Sequence, residues 1–126
     1  LSTASAAKTV ERIIDSFPAK EQNQIRTMLS EAIKAVITQR LIPSADRTQM
    51  MLALEILIGT LPMTNLIRDA KTFQIPSMMQ TGKKSGMIIM DESIMALMKD
   101  GKITAADAAA NANKPDLFKP YLPKKE

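Results

Sequence analysis

Few residues of this chain have both the type and the spacing for chemistry. Thr81-Gly82-Lys83-Lys84-Ser85 has the outline of a phosphate loop, in which backbone amides freed by glycine and one lysine hold phosphate oxygens. That loop needs a glycine five positions before the Gly-Lys pair and a serine or threonine directly after the lysine. Ser77 and Lys84 stand there instead, so the stretch reads as a polar turn. Glu11 and Asp15 lie one helical turn apart, a spacing that suits a solvated helix face better than a catalytic dyad. Cysteine and histidine are absent altogether. Their absence removes the usual zinc ligands, thiol nucleophiles and histidine-based triads. No aspartate follows an apolar strand in the manner of a magnesium-holding residue. The chain alone is therefore expected not to turn over nucleotide.

The elements that would carry these residues are mostly helical. Ala6, Val10, Ile13, Ile14 and Phe17 form one stripe of a helix over residues 4–17, and Pro18 ends it. Ile25, Met28, Leu29, Ala32, Ile33, Val36 and Ile37 predict a second helix over 19–38. Residues 39–42 are a short apolar run, Pro43 to Arg47 is turn chemistry, and Met50 to Ile58 is apolar on both faces apart from Glu55. An antiparallel hairpin fits. Thr60 can cap a helix to Ala70, with a short helix to follow over 73–81 closed by Gly82. Asp91 opens a helix that Asp100-Gly101 stops, and Thr104 starts a last one through Ala112. Beyond Lys114, prolines and charges predict an irregular tail. Met78, Met79, Met87, Met90, Met95 and Met98 read as packing between short helices, or as a partner-facing groove.

Composition bounds the rest. A length of 126 residues suits one domain with an ordinary hydrophobic fraction of 45%. The net charge of +4 owes much to Lys114, Lys119, Lys124 and Lys125, and aromatics are only 3%, so a solvated basic surface is expected rather than nucleic-acid binding. No apolar run approaches the length of a bilayer span, and no direct membrane insertion is expected. The absence of thiols leaves no disulfide framework.

The order of motifs from Gly59-Thr60 through Asn65-Leu66-Ile67-Arg68-Asp69, Gln74-Ile75-Pro76-Ser77, Gln80-Thr81-Gly82, Ser85-Gly86-Met87, Met90-Asp91 and Asp100-Gly101-Lys102-Ile103 resembles one motor family. It is similar to the C-terminal region of the type IV pilus retraction ATPases, the PilT-type twitching-motility motors. Upstream, Lys8-Thr9, Glu11-Arg12, Asp15 and Phe17-Pro18 resemble the family helix that follows its histidine-box strand, and Glu55 matches an acidic residue of a later strand. That strand ends Leu-His-Thr in the family; Ser2 stands in the histidine's place, with Thr3 matching beside it. A serine can hydrogen-bond phosphate but carries no positive charge. Asn65 to Asp69 resembles the end of the retraction signature Ala-Ile-Arg-Asn-Leu-Ile-Arg-Glu, with Thr64 replacing its first arginine, so Arg68 carries the remaining arginine function.

The resemblance implies an α/β parent with a RecA-like core, from which this chain is a mainly helical fragment with one short antiparallel hairpin. It implies residues 1–60 as the end of that core, 61–113 as a C-terminal helical layer and 114–126 as the irregular tail. It further implies ATP and Mg2+ as cofactors of the parent, a homo-hexameric ring, a pilus platform protein at the inner membrane as partner, and a cytoplasmic, membrane-peripheral location. Ser2 and Thr3 are then candidates near nucleotide, and Asn65, Leu66, Ile67, Arg68 and Asp69 form a coupling motif. A piece of such a ring is expected to be marginally stable or self-associating, because stripes such as Val10, Ile13 and Ile14 lose part of their cover. The alternatives are an accessory retraction paralogue and a stand-alone helical adaptor that binds a protein partner.

Overall fold

The first helix, α1 (Ala6–Asp15), buries Ala6, Val10 and Ile14 at helical spacing. This computed structural model of the chain describes residues 5–124. Ser5 caps α1 by accepting the Lys8 amide on its Oγ at 3.1 Å. Ile13 and Phe17 are exposed, so the apolar stripe is narrower than expected and Val10 and Ile14 keep their cover. Pro18 stops the helix, and a 3-10 turn (Ala19–Glu21) leads into α2 (Gln22–Ala32).

The expected continuation of α2 to Thr38 does not form. Ile33 is already extended at φ −69° and ψ 129°, and β1 (Ala35–Pro43) begins at once. Val36-Ile37-Thr38 is a β-branched run that loses rotamer freedom in a helix and packs well on a pleated surface. Its partner is β2 (Met50–Ile58), which makes the hairpin longer than expected. The Ser44 amide donates to the Gln49 carbonyl and the Gly59 amide to the Lys34 carbonyl, both at 2.8 Å. This register sets Thr38 opposite Glu55 and Arg40 opposite Ala53. At the turn, Asp46 accepts from the Thr48 hydroxyl, the Ser44 hydroxyl and the Thr48 amide, which lowers its carboxyl to about 2. Burial alternates along both strands instead of covering both faces: Thr38, Arg40, Ile42, Ala53, Glu55 and Leu57 are buried, while Ile37, Leu41 and Leu52 are exposed.

The chain forms two compact units, and the cut between them passes through the hairpin. The first unit comprises residues up to 38 together with 55–88. In it α2 packs on α1 and on α3 (Leu61–Arg68), and α4 (Ile75–Thr81) packs on α3. Leu57, Met63, Leu66, Ile67, Ile75, Met79 and Met87 are buried there. Arg26 grips Glu11 through two guanidinium bonds of 3.0 Å, and the Thr72 hydroxyl donates to the same carboxylate. Arg26, then the Thr72 hydroxyl, hold the Glu11 carboxyl below its ordinary value against the opposing pull of burial.

The second unit comprises residues 39–54 and those from 89 onward. Its apolar cluster is Ile42, Ala53, Met90, Ile94, Ile103, Ala108 and Phe118. The cluster is built by the hairpin tip, α5 (Met90–Lys99) and α6 (Ala105–Asn111). At the end of α5 the Gly101 amide donates to the Met98 carbonyl and the Lys102 amide to the Leu97 carbonyl, with Gly101 left-handed at φ 74°. Thr104 caps α6 as expected, accepting the Asp107 amide at 3.1 Å.

The expected irregular tail is a correction. Pro115–Tyr121 is a 3-10 helix that packs on α6 and buries Phe118 completely. One aromatic side chain supplies the burial that the surrounding prolines and charges conceal in the composition. Met79, Met87 and Met90 are buried, and Met95 and Met98 pack against the apolar cluster, so these methionines fill cores as the first of the two readings held.

Candidate coupling site

Gly59 and Thr60 control the entry to α3. A Cβ on Gly59 would lie 2.4 Å from the Ile33 carbonyl oxygen, so a side chain cannot be added where β2 leaves past the end of α2. Thr60 then caps α3, its Oγ1 facing the Met63 amide at 3.4 Å, and Pro62 sits harmlessly in the first turn. The helix is shorter than expected. Its last residue is Arg68, and Ala70 turns left-handed at φ 59° so that the Ala70 and Lys71 amides can close on the Ile67 and Leu66 carbonyls. Ala70 is therefore exposed rather than part of the packed face.

The candidate coupling motif, residues 65–69, divides by helical periodicity. Leu66 and Ile67 are buried and anchor α3, whereas Arg68 and Asp69 are exposed and Asn65 is half-buried. Arg68 Nε meets Asp69 Oδ1 at 3.3 Å with both side chains about half exposed, a pairing that contributes little. Asn65 and Arg68, three residues apart, line one open cleft of about 350 Å³. Ser30, Glu31, Ile33, Lys34, Gly59, Leu61 and Thr64 complete it. Among the described residues, the Asn65 amide, Lys34 ammonium and Glu31 carboxylate have no hydrogen-bond or ion-pair partner. The cleft thus offers two cations, one amide and one carboxylate, and no nucleophile beside a base. Such a set suits charged and hydrogen-bonded contacts with a polar surface. Lys34 belongs to no motif, and it joins this wall only because residues 30–34 and 59–68 meet in space.

Ser2 and Thr3 lie outside the described residues. The Thr81–Ser85 turn is described, and its backbone argues against a phosphate cradle. The Ser85 amide donates to the Gly82 carbonyl at 2.9 Å, the Gly86 amide to Lys83 at 3.0 Å and the Met87 amide to Gly82 at 3.2 Å. Gly82 is packed against Met87, whose sulfur would stand 2.4 Å from any added Cβ. With these amides bonded internally, this turn does not form a phosphate cradle. Nor do three carboxylates gather anywhere among them in a metal-sized cluster. No helix among the described residues is long and apolar enough to cross a membrane. A second cleft, of about 290 Å³, lies in the other unit between the hairpin turn and Gly101-Lys102, and contains none of residues 65–69.

No family model matches the chain. Individual relatives do. A twitching motility protein of Neisseria gonorrhoeae is 46% identical over 112 residues, covering 89% of this chain and 30% of the relative. The type IV pilus retraction ATPase PilT of Pseudomonas aeruginosa is 42% identical over 118 residues, covering 94% of this chain and 34% of its own length. The chain thus spans about a third of the length of these curated relatives. Among solved structures, the pilus retraction motor PilT with bound ADP superimposes with a TM-score of 0.78 at 36% identity, over 91% of this chain and 32% of that one.

Proposed function

Because the chain is a homologue of the C-terminal portion of PilT-type pilus retraction ATPases, we propose that it forms that portion of a motor whose ATP hydrolysis powers type IV pilus retraction and twitching motility. The observation that carries this reading is identity above 40% sustained over nearly the whole chain. In this reading the parent motor is a homo-hexamer, takes ATP with Mg2+ through residues outside those described, and docks on a pilus platform protein at the cytoplasmic face of the inner membrane. The chain's own contribution is mechanical. Leu66 and Ile67 fasten α3 to the first unit, and Asn65 and Arg68 present donors in a cleft where a partner surface can be engaged. Thr64 and Ser2, in place of the family's arginine and histidine, favour an accessory retraction paralogue as the second reading. A stand-alone adaptor is disfavoured by the same identity.

The test is a pair of substitutions in the full-length motor. Arg68→Ala should leave folding and ATP binding intact while impairing withdrawal of the pilus. Leu66→Ala should instead destabilise the protein by about 2–5 kcal/mol, as loss of a buried leucine does. Twitching at normal speed with Arg68→Ala would remove the coupling role and return Arg68 to an ordinary solvated arginine.

A further inference from the structure

Lys114, Lys119 and Lys124, which read in the composition as a solvated surface, fall on or beside the 3-10 helix Pro115–Tyr121 of the second unit. With three residues per turn, such a helix sorts its side chains into rows. The row of Phe118 faces the core, and Phe118 is completely buried. The other two rows hold Leu117 with Pro120 and Asp116 with Lys119, all exposed. Lys119 Nζ meets Asp116 Oδ1 at 3.1 Å. Leu117 is 50% exposed, and Tyr121, next along the Phe118 row, reaches the rim at 47%. The ammonium of Lys99, the last residue of α5, stands 6.0 Å from the centre of the Tyr121 ring. At about 2 Å of rise per residue the whole helix spans about 14 Å. Its outer side therefore sets Leu117, Pro120 and Tyr121 close among Lys99, Lys114, Lys119 and Lys124.

We propose that this outer side is a contact for a membrane surface and lies on anionic phospholipid headgroups. The cations here are all lysines, and Arg68 is the last arginine of the sequence. Arginine supplies the planar fork that recognises one carboxylate, whereas lysine is a point charge on a flexible stem, suited to a diffuse negative potential. Tyrosine, with an apolar ring and a polar tip, suits the depth of the headgroups, and Leu117 and Pro120 add apolar area beside it. Basic charge and apolar area together are the two signals that surface binding needs. Phe118 holds the helix against its unit, so these side chains are presented from ordered backbone and little ordering remains for binding to impose. No helix among the described residues can cross a bilayer, so the contact lies on the surface. It belongs to the second unit alone and is independent of the motor reading.

The test is co-sedimentation of the purified chain with vesicles of phosphatidylglycerol and with vesicles of phosphatidylcholine alone. The chain should partition onto the anionic vesicles only, and less as salt is raised. Lys114→Gln, Lys119→Gln and Lys124→Gln should each weaken partitioning about fivefold. Leu117→Ser should weaken it by about as much through lost apolar area. Asp116→Asn, which removes the carboxylate beside Lys119, should strengthen it. All five positions are exposed, so the thermal midpoint should stay at the wild-type value. Equal binding to phosphatidylcholine, or none to either vesicle, would overturn the proposal. So would equal losses from Lys20→Gln and Lys84→Gln, exposed lysines of the first unit, since that marks adsorption by net charge. Retention on immobilised polyglutamate without vesicle binding would assign the patch to an acidic protein and overturn it as well.

Discussion

The two units each bury one charge from the hairpin, and each places it at the end of a helix. In the first, Glu55 receives the amide of Ala6 where α1 begins. In the second, Arg40, 9% exposed, donates to the carbonyl of Asn111 where α6 ends and to the side-chain oxygen of Asn113 at 2.7 Å. The signs follow the helix dipole, an anion at a start and a cation at a finish. The difference lies in what comes next. Glu55 shares its helix start with the Ser5 cap, whereas the chain beyond α6 continues and must be turned back. Asp91 accepts the Asn113 and Lys114 amides at 2.8 and 2.9 Å, so the second unit holds residues 111–114 between charges of opposite sign. A buried charge can thus be stabilised by a helix start and one hydroxyl, but steering a segment takes two charges and then an aromatic anchor.

The strongest way to break this comparison is to remove the anchor. Phe118→Ala should lower stability by about 3–5 kcal/mol in denaturant unfolding. A shift well under that would mean that Arg40 and Asp91 hold the C-terminal segment without it. Next is Arg40→Met, which leaves the Asn111 carbonyl and the Asn113 side chain without their donor and should cost about 1–3 kcal/mol. An unchanged thermal midpoint would show that the cation at the finish of α6 is dispensable.

A smaller effect comes from Glu11, whose charge is matched by a true ion pair. Its carboxyl is lowered in the folded chain, chiefly by Arg26, so the pair stabilises above the ordinary value of 4.5 and the stabilisation is lost as pH falls through the lower folded value. Comparing wild type with Arg26→Met across acid pH should reveal about 1 kcal/mol that disappears on acidification. Parallel curves would assign no such role to the pair. The smallest effects contrast two helix ends of the same design. Ala70→Gly should gain up to about 1 kcal/mol and Gly101→Ala should lose about as much, since both positions are left-handed and only one is filled by glycine.

Much of this was legible in the sequence, for reasons that can be located. Thr60, Thr104 and Gly101 speak through local chemistry, and all three cap or stop their helices as read. The end of α2 is not legible in the sequence, because Ile33, Val36 and Ile37 continue a helical spacing. What overrides it is pairing with residues some twenty positions away, as in Thr38 with Glu55, which no local period reveals. Phe118 is hidden by composition, since one buried ring outweighs the prolines and charges around it. The coupling motif could be found as a string, and its division into buried Leu66 and Ile67 and exposed Arg68 follows from the helical period. The cleft it lines could not be found, because Glu31, Lys34 and Gly59 reach it only through the packing of α2 against α3.

The separations of these contacts along the chain order events in time. The turn bonds among Ser44, Asp46 and Thr48 link residues two to four apart, whereas Glu55 reaches Ala6 across 49 positions and Arg40 reaches Asn111 across 71. Loop closure is entropically cheaper for near partners, so the hairpin should register early and hold out two charges for helices that arrive later. Substitutions at Asp46 should then slow folding, while Arg40→Met and Glu55→Gln should chiefly hasten unfolding. The hairpin is in that sense a clock as much as a scaffold: the last bonds to form, and the first to open, are the ones that join the two ends of the chain to its middle.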